Sequence, residues 1–164
     1  MQKREIRFEF DVCKSIDELN ESDQSLLNSA REVTKKAYAP YSEFLVGAVA
    51  LLENGATVSG TNQENASYPV GICAERVLLA SAAMIHTNVP IKTMAIAYHN
   101  LNGDSNFPVS PCGMCRQSIH EYEDRTNHPI RLILSGMTGE VMIIEKASLL
   151  LPMSFGSSEL RSGK

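Results

Sequence analysis

The sequence has no long apolar run, no block of basic residues and few cysteines. Its longest apolar stretch, residues 45–52, is far shorter than the ~20 residues that a membrane-spanning helix needs. Residues 1–10 carry charges throughout and offer no apolar core for a secretory signal. A net charge of −4 without a Lys/Arg cluster argues against a nucleic-acid polymer as partner, while leaving small neutral ligands open. Four cysteines in 164 residues make no disulfide framework, which fits a reducing, cytoplasmic setting. Repeats, linkers and low-complexity stretches are also missing, so the length suits one domain around one core.

What the chain does contain is a particular arrangement of three of those cysteines. Cys73-Ala74-Glu75 is one piece, and Pro111-Cys112-Gly113-Met114-Cys115 is the other. Zinc takes a tetrahedral shell, and structural sites normally fill all four positions with protein ligands. Three thiolates leave one position open for water. Glu75, two residues after the first cysteine, is a carboxylate placed to move protons to and from that water. A Cys-x-x-Cys pair on its own has other readings, a redox couple or half of a structural zinc knuckle. Cys13 could also be a fourth ligand that closes a non-catalytic zinc module. The upstream Cys-Ala-Glu and the proline before the second pair favour the hydrolytic zinc site.

Periodicity supplies the scaffold. Alternation of Ile6, Phe8 and Phe10 with charged residues predicts a strand over 5–12, an edge strand or an arm onto a neighbouring subunit. Helices are expected over about 22–39, capped by Ser22 or Asp23, and over about 72–86. A third starts with Pro111 in its first turn and ends near 124. Strands are expected over 45–53, 57–61, 92–98, 130–134 and 141–144, with a hairpin turn at Asn54-Gly55. A short helix is expected over 145–150, followed by a tail that is polar except for Phe155 and Leu160. A five-stranded sheet with helices on its faces is the economical assembly, and the long strand–helix–strand links suggest parallel pairing. Cys73 and Cys112 then fall at helix starts, where free amides and the helix dipole favour thiolate. Arg76 and Arg116 sit beside the ligands and could donate to the thiolates, taking back some charge.

Further pieces share one pattern: Tyr38-Ala39-Pro40-Tyr41-Ser42-Glu43-Phe44-Leu45-Val46-Gly47-Ala48, Asn62-Gln63-Glu64-Asn65-Ala66-Ser67-Tyr68-Pro69, Ser110 through Gln117, and Ser154-Phe155-Gly156. With the cysteine motifs, they make the chain resemble the small homotetrameric zinc-dependent cytidine deaminases over about 36–156. The resemblance implies a single domain over 1–164 of three-layer α/β/α type, with a central five-stranded mixed sheet, an N-terminal extension over 1–21 and a C-terminal tail over 157–164. It implies one zinc per subunit on Cys73, Cys112 and Cys115, with Glu75 as proton shuttle. Phe44 would pack near the pyrimidine, and Asn62 and Glu64 would hold the ribose 3′-hydroxyl. The Ala74 amide would meet the base carbonyl and the Ser110 carbonyl the leaving amine. Phe155 would reach a neighbouring subunit's site in a homotetramer. The implied reaction is hydrolytic deamination of cytidine and deoxycytidine in pyrimidine salvage, with ammonia released and a zinc-bound hydroxide as nucleophile. Independently, a carboxylate at Glu64 is a poor neighbour for phosphate, which favours free nucleosides. Deaminases of blasticidin-type aminonucleosides share the zinc motifs and are the nearest alternative.

Overall fold

The computed structural model describes residues 1–161, so the end of the expected C-terminal tail, 162–164, lies outside the described residues. The elements run β1 (Asp11–Cys13), α1 (Glu21–Val33), β2 (Phe44–Leu52), β3 (Thr57–Thr61) and α2 (Ala74–Ile85). They continue with β4 (Ile91–Asn100), α3 (Gly113–Thr126), β5 (Arg131–Ser135), β6 (Val141–Ile144) and α4 (Ser157–Arg161). The strands form one mixed sheet in the order β1-β6-β5-β4-β2-β3.

Side-chain alternation assigns the two faces. Ala48, Ala50 and Leu52 of β2, Met94 and Ile96 of β4, and Leu132 and Leu134 of β5 pack with α2 and α3. The intervening Val49, Ala95, Ala97 and Ile133 pack with Leu26, Leu27, Ala30 and Val33 of α1. The result is the expected three-layer α/β/α arrangement. Glycine permits the closest approaches. A Cβ on Gly60 of β3 would collide with the Ala74 carbonyl and the Leu78 backbone, and one on Gly47 with the Ala30 carbonyl of α1. The first turn of α2 therefore lies directly on the sheet.

Several expectations need correction. The sheet has six strands, because the N-terminal segment adds β1 as an edge strand antiparallel to β6. That strand spans only Asp11–Cys13, and Ile6, Phe8 and Phe10 before it are exposed. Among the six strands, β4 and β5 are the pair with parallel hydrogen bonding. Strands β3 and β4 do run in the same direction, but β2 lies between them and pairs antiparallel with both. Helix α1 ends at Val33, and Thr34–Lys36 tighten into a 3-10 turn. Its cap is Asn20, whose side chain accepts from the Asp23 amide, so neither Ser22 nor Asp23 plays that part. Pro111 precedes α3 by two residues, and Cys112 is the cap. The expected 145–150 helix is a 3-10 turn over Ala147–Leu150. No described helix is long and apolar enough to cross a membrane.

Glu123 ties α3 to the residue before β5 and to the 147–150 turn. It is 5% exposed, and its two carboxylate oxygens accept from the amides of Ile130, Ala147 and Ser148 at 2.7, 3.1 and 3.0 Å. Charge-assisted bonds to buried amides are strong, and each amide left bare is costly. Glu123→Ala is expected to destabilise the fold by about 3 kcal/mol in urea unfolding at fixed protein concentration. A loss below about 0.5 kcal/mol contradicts this role.

Candidate active site

Two helix N-termini converge on the sheet face shared by α2 and α3. Cys73 caps α2, Cys112 caps α3, and Cys115 lies one turn into α3. The three Sγ atoms lie within 4.8 Å of one another. Cys73 and Cys112 are separated by 3.8 Å and Cys112 and Cys115 by 3.5 Å. A tetrahedral zinc with bonds of ~2.3 Å sets its sulfurs ~3.8 Å apart, close to both of these separations, so the trio suits that ion. Cys13 is not part of the cluster: it sits on β1 and packs at the margin of the α1 core. A closed site with Cys13 as fourth ligand finds no support among the described residues.

The cluster's electrostatics call for a cation. Cys73 is pulled down to about 6, chiefly because the Cys115 thiol donates to it. Cys115 is pushed up, by that same donation and by burial. One sulfur is thus a thiolate at neutral pH while its neighbour holds a shared proton. Glu75, in the first turn of α2, is 5% exposed, and burial raises its carboxyl above the usual range.

A cleft of about 450 Å³ opens beside the sulfurs. It is lined by Phe44, Asn62, Glu64, Cys73, Ala74, Glu75, Ser110 and Cys112, so most of the expected site residues come together. The loop after β3 reaches it through backbone pairing. Gln63 exchanges both amide bonds with Ile72, next to Cys73, and the Glu64 amide donates to the Tyr38 carbonyl. Asn62 and Glu64 flank Gln63, whose own side chain donates back to Thr61. The Asn62 carboxamide accepts from the Val46 amide at 2.8 Å and donates to the Phe44 carbonyl at 2.9 Å. One amide hydrogen remains for a ligand. Glu64 accepts from the amides of Tyr41 and Ser42 at 2.8 and 3.3 Å. Bonding to the Ser42 side chain first, and then to these amides, holds its carboxyl below the usual range. Ala74, the first residue of α2, has an amide without an intrahelical acceptor, as helix starts do.

Three expected residues stand elsewhere. Arg116 donates to the carbonyls of Pro111 and Leu150 at 2.8 and 3.1 Å, bracing the turn before Cys112. Among the described residues neither it nor Arg76 donates to a cysteine sulfur, although the charge of Arg76 helps to lower Cys73. Phe155 is 58% exposed and does not line the cleft of its own chain. Its carbonyl accepts from Gln117 at 2.9 Å.

The family model described as "Cytidine and deoxycytidylate deaminase zinc-binding region" matches residues 20–127. The chain belongs to the cytidine deaminase family. The cytidine deaminase of Sporosarcina psychrophila is 34% identical over 137 residues, 84% of this chain and 93% of that one. The crystal structure of the Burkholderia pseudomallei cytidine deaminase is 34% identical with a TM-score of 0.70, and 84% of this chain covers all of it. The Mycobacterium tuberculosis enzyme is 27% identical with a TM-score of 0.60, covering 80% of this chain and 95% of that one. Zinc is accordingly the family's metal, and the sulfur trio suits it.

Sequence reasoning did not find Tyr98, Val109 or Ser135, which also line the cleft. Tyr98 and Ser135 lie on strands, where a single polar or aromatic residue carries no positional signal until the register is known. A direct consequence of the thiol electrostatics is testable. Thiolates must form before the ion is held, so zinc uptake by metal-free protein at neutral pH is expected to release protons. Affinity should therefore fall with pH already through the neutral range, as Cys115 must lose its proton, and more steeply below about 6, where Cys73 gains its own. Calorimetry in buffers of different ionisation enthalpy measures both, and pH-independent zinc affinity contradicts the assignment.

Proposed function

We propose that the protein hydrolyses cytidine and deoxycytidine to uridine and deoxyuridine with release of ammonia. The observation that carries this reading is a cluster of three cysteine sulfurs beside one cleft that also holds a buried carboxyl and a polar rim of Asn62 and Glu64. When bound, zinc supplies a Lewis acid that lets a water ionise near neutral pH. Glu75 is the base that takes the water's proton at a carboxylate oxygen and hands it to N3 of the pyrimidine. The oxygen adds to C4, the carbon becomes tetrahedral, and Glu75, again a carboxylate, takes the proton of the new C4 hydroxyl and delivers it to the exocyclic amine. Ammonia leaves and the C4 carbonyl forms. A carboxyl whose burial raises its affinity for protons suits both halves of this relay.

The other residues orient the nucleoside. The open amide of Ala74 donates to the base carbonyl, and the Ser110 carbonyl accepts from the amine as it gains its proton. Phe44 packs near the base. Asn62 and the ionised Glu64 hold the ribose 3′-hydroxyl, and the charge of Glu64 disfavours a phosphate there. Ligands that lack the sugar hydroxyl leave a polar group unpaired, which is how such a rim selects. Phe155, projecting from the body, completes the cleft of a neighbouring copy, so the working unit is a homotetramer with shared sites. No nucleic-acid polymer and no membrane takes part, and the setting is cytoplasmic.

The test is cytidine turnover by zinc-loaded protein in ¹⁸O-labelled water. Uridine labelled at the pyrimidine oxygen, with matching ammonia, is the expected result. No turnover with zinc bound contradicts it and points to another amino-heterocycle, such as a blasticidin-type aminonucleoside. Glu75→Ala is expected to keep fold and zinc while turnover drops by about 10²- to 10⁴-fold. Near-normal turnover by that variant removes Glu75 from the relay.

A further inference from the structure

One buried aromatic in the cleft has no part in the chemistry above. Tyr98 of β4 is 3% exposed yet lines the cleft. Strand register explains its position: β2 pairs antiparallel with β4, with Val46 opposite Tyr98 and Phe44 opposite Asn100. Phe44 and Tyr98 are therefore diagonal neighbours on the sheet face that bears the sulfurs. Their rings stack with centroids 4.8 Å apart and planes 9° from parallel. On its other side Tyr98 meets the Phe107 ring edge-on, at 6.0 Å and 61°. Phe107 belongs to the segment that leads from β4 to Ser110 and Cys112. A row of three rings thus runs from the base-facing wall to the strand of chain that carries the amine acceptor and a metal ligand.

Tyr98 is the aromatic partner of the half-buried Phe44 ring. Phe44 is the first residue of β2, follows Glu43 in the left-handed region at φ 54°, and has no other aromatic partner among the described residues. Its backbone is fixed by the Ser42 hydroxyl and by Asn62, but those bonds do not set the ring. The Tyr98 hydroxyl contributes nothing comparable. It is closed to solvent and makes no well-formed hydrogen bond, with the Phe107 amide and Asp104 as its polar neighbours.

We propose that Tyr98 is a positioning residue whose ring, and not its hydroxyl, holds Phe44 in the orientation that receives the pyrimidine and couples that wall to the loop bearing Ser110. This rests on the nucleoside reading of the cleft. A ring set beforehand spares the ligand the entropic cost of ordering it, so the effect falls on binding and leaves the proton relay alone. Substrate affinity should register the loss of the stack while the chemical step does not.

Steady-state kinetics with cytidine on the zinc-loaded full chain test it. Tyr98→Phe keeps the ring and is expected to retain the unsubstituted KM and kcat. Tyr98→Leu keeps bulk without the stack and should raise KM about three- to tenfold, the size of an aromatic pair, with kcat within about twofold. The inhibition constant for uridine should move by the same factor. Adding Tyr98→Leu to Phe44→Leu should raise KM by less than the product of the single effects. Phe107 is 53% exposed and can be truncated without opening the core, so Phe107→Leu gives a reading even where Tyr98→Leu does not fold. It should raise KM about twofold. Equal KM values across the active variants overturn the proposal, as does a Tyr98→Phe defect as large as that of Tyr98→Leu. No cytidine turnover by the unsubstituted enzyme overturns the nucleoside reading itself, and this proposal with it.

Discussion

Three sulfur anions cannot share a few ångströms without a cation between them. That constraint organises the rest of the structure. Without the ion, Cys73 and Cys115 divide a proton, one thiol pulled down and the other pushed up. The fold brings them together through two helix caps, each offering free amides at the point where charge gathers. Gly60 lets the first turn of α2 lie on β3, and Arg116 braces the approach to α3. The sulfur trio is held from both sides before any metal arrives, so the site is preorganised for a cation that takes the place of the shared proton.

The cleft beside the sulfurs divides its labour by depth. Its inner end holds the buried Ala74 and Glu75, and the glutamate carboxyl is raised by that burial. Its rim is wetter, and Glu64 there stays ionised because the Ser42 side chain and backbone amides bond to it. Two glutamates of one cleft thus have opposite proton affinities, set by surroundings and not by residue type. The inner one suits proton transfer and the outer one recognition. Between them the stacked rings of Phe44 and Tyr98 give a flat apolar wall.

Much of this was legible in the chain. The cysteine spacing, the following glutamate and the two helix starts are local signals, and the structure brings them to one cleft. Strand positions were readable wherever alternation or a turn signal was strong, as at Asn54-Gly55. What escaped depends on pairing across the chain. The six-residue apolar alternation before Asp11 has the period of a strand, yet only Asp11–Cys13 finds an edge to bond, because β6 ends at Ile144. The link through α3 pairs β4 and β5 in parallel as expected, whereas β3 and β4, though they run in the same direction, do not pair because β2 lies between them, a choice made by the hairpin and invisible to periodicity. Arg116 was assigned to the sulfurs by proximity in sequence, whereas helix geometry turns it toward the carbonyls of Pro111 and Leu150. Tyr98 could not be found at all until the register placed it diagonal to Phe44.

The account turns on a metal held by three sulfurs with one position left for water. Zinc-edge X-ray absorption on the zinc-loaded protein measures that shell directly. Three sulfur scatterers at ~2.3 Å and one light scatterer near ~2.0 Å are the predicted result, with the sulfur number falling when Cys73 is replaced by serine. A shell of four sulfurs contradicts the account, since a closed site leaves no place for the water that the reaction needs.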